Sequence, residues 1–187
     1  MPDTPIRRVN PADMPKGIRE IWHKSKEIRG DATFIETMAN APELLTWYRD
    51  EFYGRVFADG RVPLKLKELA RYRLSTQHGC HYCNQGNRLD ALAAGLNEAD
   101  LGAIEDNQLD HFDGVQHAVL MLANQMLLTC HDGLLKGPVY DQLSQYLDDG
   151  QIMELGMTLA VLTGVARFLF VFDLVEKEAS CPFHPAQ

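Results

Sequence analysis

Excess positive charge is the first thing this sequence lacks. Of its 187 residues, 18 are Lys or Arg against 26 Asp or Glu, giving a formal charge of −8, and the basic residues form no cluster. A nucleic-acid-binding surface is therefore not expected. Long apolar runs are also missing. Glu154 and Arg167 bracket the longest one, 12 residues, where a bilayer span needs roughly 20. No membrane role follows. The start, Met1 to Arg8, carries basic residues without an apolar run behind them, so it does not read as a secretory signal. Cysteine is sparse too. Four are present, Cys130 and Cys181 stand alone, and only Cys80 and Cys83 are close. That excludes a disulfide framework and, without an export signal, favours a reducing, cytoplasmic setting. There a close pair serves redox chemistry or metal binding more often than it staples a fold.

What is present is helical periodicity, with little alternation of period two. At 45% hydrophobic residues the chain can build a substantial core, and its length suits one domain over 1–187, with an N-terminal arm at 1–16 and a C-terminal tail at 176–187. Pro2, Pro5, Pro11 and Pro15 deny the arm regular helix. Ile18, Ile21, Trp22 and Ile28 mark a first helix. Pro42 opens a second, with Leu44, Leu45, Tyr48, Phe52 and Val56 on one face. Leu64 to Gln77 ends near Gly79, and a new helix starts at Cys80 and runs to about Gly95. Asn97 to Asp100 offers a polar start for a short helix, Val115, Val119, Leu122 and Met126 stripe the next, and Gly137-Pro138 introduces another. After Gly150 a final helix, apolar on most sides, suits burial in its own subunit or between subunits. The reading is an all-α bundle of about seven or eight helices.

Two cysteines three apart at a helix start lie on nearly one face, close enough for a reversible disulfide. Free backbone N–H groups there favour the thiolate, which attacks a disulfide or a peroxide O–O bond while its neighbour resolves the product. The bland alternative is an inert pair. A zinc alternative adds Cys181 and His184, but nearly one hundred residues separate the halves. Glu68 lies about 16 Å before the turn at Gly79 and Asn87 about 12 Å after it, so an antiparallel helix pair lets them approach. A buried Glu68 could steer a proton toward Cys83, whereas an exposed one would form a salt bridge with Lys65, Arg71 or Arg73.

Glu68, eleven intervening residues, Cys80-His81-Tyr82-Cys83, the helix end Ala91 to Leu96 and the late Glu154 to Phe168 segment together resemble the AhpD-like alkylhydroperoxidase and carboxymuconolactone decarboxylase superfamily. The resemblance covers roughly residues 20 to 185. It implies the AhpD-like bundle, with Cys83 as peroxidatic thiol, Cys80 as resolving thiol and Glu68 in a proton relay. It also implies a homo-oligomer, trimer or hexamer, and an external dithiol reductant of lipoyl or thioredoxin type. No organic cofactor or metal is required. One departure matters: the superfamily's peroxidases usually carry a histidine four residues after the second cysteine, and here Asn87 stands there. An amide cannot take up a proton near neutral pH, so His78 or His81 become substitutes in the relay. Arg167, in an apolar helix, calls for an acidic or carbonyl partner. The expected function is thiol-dependent hydroperoxide reduction. The alternatives are a decarboxylase-like lyase on a small cyclic acid and a noncatalytic oligomeric scaffold.

Overall fold

A computed structural model describes residues 2–131, 133, 135 and 137–183. The fold is all-α, with no strand among the described residues. Among the described residues nine α-helices follow in order: α1 Lys16–Arg29, α2 Thr33–Met38, α3 Pro42–Thr46, α4 Leu64–His78, α5 His81–Ala93, α6 Glu98–Glu105, α7 Gly114–Gln125, α8 Gly137–Leu143 and α9 Asp149–Val171. Polar residues start several of them. Asn97 and Asp100 form a reciprocal cap on α6, and Asp148 and Gln151 do the same for α9, so each helix satisfies two of its orphan N–H groups. Gly150 therefore sits inside the first turn of α9 instead of before it. The short α2 has too few turns to show a period, and the sequence pattern does not announce it.

The segment Trp47–Ala58 continues α3 as a π-helix. Such helices mostly occur as single turns and often near functional sites, and here the wider turn changes which side chains face inward. Residues five apart now meet: Tyr48 edge-on to Tyr53 with ring centres 5.1 Å apart, and Phe52 tilted against Phe57 at 6.2 Å. Phe57 is buried where the α-period predicts Val56, which is 36% exposed, and Leu44 is 54% exposed.

α4 is the central helix, with α5, α6, α7 and α9 packed on it. One apolar cluster lies on its α6–α7–α8 side and includes Leu69, Leu101, Ile104, Leu120 and Leu155. A second joins the arm and α1–α3 to the end of α9, and it holds Cys80 and Tyr82. The arm is docked through Met14 and a bond from the Val9 N–H to the Glu36 carbonyl. The tail is packed as well. Leu174, Val175 and Cys181 are buried, and the chain from Leu174 to Phe183 straps the α4–α5 turn.

α9 runs 23 residues and has an 18-residue window of mean hydropathy 1.6, long and apolar enough by length and composition to cross a membrane. Only 28% of that window is buried in the chain, so the expected burial within its own subunit is partial. Met153, Met157 and Val171 lie on its open face. The charges that seemed to interrupt it fit within the helix. Glu154 pairs with fully buried Lys67 at 2.6 Å and accepts the Arg61 and Val62 N–H groups. Arg167 is exposed, and its guanidinium lies over the Phe183 ring at 5.7 Å. The acidic or carbonyl partner expected for it is not found among the described residues of this chain.

Candidate active site

Gly79 makes the turn that builds the site. At φ +65° it caps α4 in the left-handed conformation, which glycine adopts without steric cost. The tail passes directly over it, and a Cβ added there would meet the Cys181 Cα at 2.6 Å. Cys80 follows as N-cap of α5, its Sγ accepting the Cys83 N–H at 3.2 Å, with Cys83 in the first turn. The two are joined as a disulfide, Cα atoms 5.2 Å apart. Cys80 is 1% exposed, whereas Cys83 is only half-buried.

Both cysteines line a cavity of about 320 Å³ between α1, the α3 segment, α4, α5 and the end of α9, near the small end of the ~300–1,000 Å³ usual for ligand sites. His78 and Asn87 line it too, and so do Ser25, Arg29, Tyr48, Tyr53, Arg71 and Tyr82. Cys80, Cys83, His78 and Asn87, four of the six sequence-predicted residues, thus share one space. Glu68 does not reach the wall.

Glu68 instead lies behind Arg71. Its Oε2 accepts from Arg71 Nε at 2.8 Å, and Arg71 Nη2 also reaches Asp90 on α5 at 2.7 Å. The sequence offered a buried relay carboxylate or a surface salt bridge, and the structure combines the two: the pair forms, but buried. Burial raises the Glu68 carboxyl to about 7 even against Arg71, whose charge is shared with Asp90 and so only partly replaces lost water.

His78 is 1% exposed, and burial lowers it to about 4. Its Nε2 accepts the Leu128 N–H at 3.0 Å, so the imidazole is neutral and that lone pair is taken. His81 points away from the cavity, bonded to Glu178 of the strap at 3.0 Å. Asn87 is 8% exposed, and its amide makes no hydrogen bond among the described residues. Cys130 is half-buried, less enclosed than a core hydrophobe, while Cys181 donates to the His78 carbonyl at 3.0 Å. Among the described residues no group of three His, Cys, Asp or Glu side chains converges on a metal position, and His184 lies outside them.

Sequence reasoning missed the aromatic and cationic half of the site. Tyr48 reaches Tyr53 at 3.5 Å, and burial, with Tyr53 beside it, holds the Tyr48 phenol well above its ordinary value. Tyr82 meets Ser25 at 2.7 Å, and burial raises its phenol despite Arg29 and Ser25. Arg29 stacks over the Tyr82 ring at 4.9 Å and donates from Nε to the Tyr82 carbonyl at 3.2 Å. One sequence signal pointed there: Gly86, a glycine inside a helix one turn past Cys83, marks a close approach.

Residues 42–124, from α3 through most of α7, match the carboxymuconolactone decarboxylase family. A solved AhpD-core structure, an uncharacterized peroxidase-related protein from Ralstonia eutropha JMP134, superposes with a TM-score of 0.71 at 15% identity, covering 96% of this chain and 94% of that one. The chain is thus similar to the carboxymuconolactone decarboxylase family over residues 42–124 and shares the fold of the AhpD core. The debrominase Bmp8 shares the fold as well. Its apo form has a TM-score of 0.71 at 20% identity over 95% of this chain and 94% of that one. A cysteine-to-alanine variant of Bmp8 in complex with 2,3,4-tribromopyrrole gives 0.71 at 19% over 95% and 93%. No curated protein matches the chain in sequence. A debrominase and a peroxidase-related protein thus share this fold, and the family matched over residues 42–124 is named for a decarboxylase.

Proposed function

We propose that the chain is a thiol-dependent hydroperoxide reductase in which Cys83 attacks and Cys80 resolves. One observation carries this reading: both cysteines line an apolar cavity, Cys83 as the more exposed residue and its bonded partner Cys80 buried at the helix cap. In the reduced protein the Cys83 thiolate attacks the terminal peroxide oxygen. An S–O bond forms, the O–O bond breaks, and the departing alkoxide takes up the proton that Cys83 gave up. The Cys80 thiol then displaces the sulfenic oxygen as water and closes the disulfide. An external dithiol, lipoyl- or thioredoxin-type, reduces it and is itself oxidised to a disulfide. The cap position suits Cys80 as leaving group in that step, since a backbone N–H already faces its sulfur. Such a cycle fits a reducing compartment, the cytoplasm.

The lyase alternative has less support, because proton abstraction from a cyclic acid requires a base at the cavity wall. Glu68 stands behind Arg71, and the His78 Nε2 is engaged. A Cys80→Ser variant, reduced and mixed with cumene hydroperoxide and a sulfenic-acid trap, tests the proposal by mass spectrometry. The adduct is expected on Cys83. Absence of any adduct there, or no hydroperoxide consumption by the reduced unmutated chain, overturns it.

A further inference from the structure

Charge inside the cavity runs opposite to charge on the chain. Among the described residues Lys24, Arg29, Arg49 and Arg71 line it and no carboxylate does, in a protein of net charge −8. Two of these cations are balanced from outside, Arg71 by Glu68 and Asp90, and Arg49 by Asp50 at 2.7 Å. Lys24 and Arg29, at the two edges of the cavity side of α1, pair with no carboxylate among the described residues. Only the Nε of Arg29 has a hydrogen-bond partner, the Tyr82 carbonyl. Its Nη2 lies over Gly86 of α5. A second, independent observation lies alongside: the buried Asn87 amide faces the same space without a partner. A half-buried guanidinium and a buried amide left unengaged in a largely apolar pocket, with exposed Lys24 beside them, suit an acceptor-rich, negatively charged group.

We infer that the cavity takes a short organic acid, its carboxylate held by Arg29 and Lys24 and its apolar body among Ile21, Phe34, Leu45 and Val165. Resting on the peroxidase reading, this makes the substrate a small hydroperoxy acid. Spacing fixes the kind. Gly86 lies one helical turn past Cys83, about 5–6 Å along the same face, so a carboxylate on Arg29 and a peroxide on Cys83 can be only a few bonds apart. The Asn87 amide, also one turn from Cys83, is left for the peroxide oxygens.

The test uses 4-hydroperoxy-4-methylpentanoate and its methyl ester, which differ in charge but not in the reacting group. With the full chain and excess dithiothreitol, kcat/KM for the acid is expected to exceed that for the ester by about tenfold or more. Arg29→Gln and Lys24→Ala should each bring the ratio toward one, and Arg29→Lys should keep part of it. An ester turned over as well as the acid, or a ratio that Arg29→Gln leaves unchanged, overturns the inference. Calorimetry with 4-methylpentanoate and its methyl ester on the oxidised protein separates the two readings. Binding of the carboxylate alone, with neither hydroperoxide reduced, sinks the peroxidase and keeps the acid site. Equal turnover of both with no carboxylate binding does the reverse.

Discussion

The guanidinium of Arg29 rests on α5 at the one place where that helix has no side chain, Gly86: a Cβ there would meet Nη2 at 1.9 Å. The atom in the way is the end of a flexible side chain, so Gly86→Ala can fold by moving Arg29 aside. Alanine also gains about 1 kcal/mol of helix propensity over glycine. We therefore expect a thermal midpoint within about 3 °C of the unmutated chain. Cys83 should respond more strongly, because a cation one turn from a thiol favours its thiolate. In a Cys80→Ser background, the pH profile of Cys83 alkylation by iodoacetamide should shift upward when Gly86→Ala is added. An unmoved profile would show that Arg29 does not act on the sulfur.

The pair Cys80 and Cys83, the turn at Gly79 and the caps at Asn97 were legible because each is a local signal, read within four or five residues. Helix α5 and its cysteine pair needed nothing more. What stayed hidden depends on register and distance. Phe57 faces inward only because the α3 segment winds with a π-turn, which no α-period reveals. Glu68 was singled out, but its place behind Arg71 depends on Asp90 reaching across from α5. Arg29 comes from a helix more than fifty residues away, and its approach left one mark in the sequence, a glycine.

Gly79→Ala should behave quite differently from Gly86→Ala. At φ +65° a Cβ costs about 1–2 kcal/mol of strain, and the atom it would strike, the Cys181 Cα, is backbone that cannot rotate away. The strap must lift, putting at risk the bonds from the Glu178 N–H to the Gly79 carbonyl and from the Tyr82 N–H to the Glu176 carbonyl. A loss of at least about 2 kcal/mol is expected, roughly 4–8 °C for a chain of this size. Gly95→Ala is the control: it also has positive φ, but open space around its Cβ. Its loss should be limited to the strain, and equal midpoints for the two variants would remove the strap from the argument.

Two buried groups give stability opposite pH slopes. The Glu68 carboxyl is raised from 4.5 to about 7 by burial, so its contribution is fully present below about 4.5 and is lost as pH rises through 7. His78, lowered from 6.5 to about 4 by burial, contributes above 6.5 and loses that contribution as pH falls through 4. The two partly cancel between pH 4.5 and 6.5. Glu68→Gln removes the first slope and leaves the second. Relative to the unmutated chain, the variant should gain roughly 1–3 kcal/mol between pH 5 and pH 8. Urea unfolding across that range measures it, and parallel curves would place Glu68 near its ordinary value.

Asn87 lies one helical turn after Cys83 and faces the cavity with an amide that no described residue engages. Asparagine can donate a hydrogen bond to a peroxide oxygen, but it cannot carry a proton to the departing alkoxide. None of the nearby groups fills that role readily: the His78 Nε2 is held by Leu128, and burial keeps the Tyr48 phenol from giving up its proton. An imidazole at this position would have its own titration near neutral pH and a direct line to the reacting oxygens. Asn87→His should therefore raise kcat/KM for hydroperoxide by about tenfold to a hundredfold and add a limb near pH 6–7 to the pH–rate profile. A gain without the new limb would point to better packing instead of proton transfer. No gain at all, in a variant whose disulfide still forms and reopens normally, would mean that the alkoxide already finds its proton elsewhere, with bulk water at the Lys24 mouth of the cavity as the nearest source.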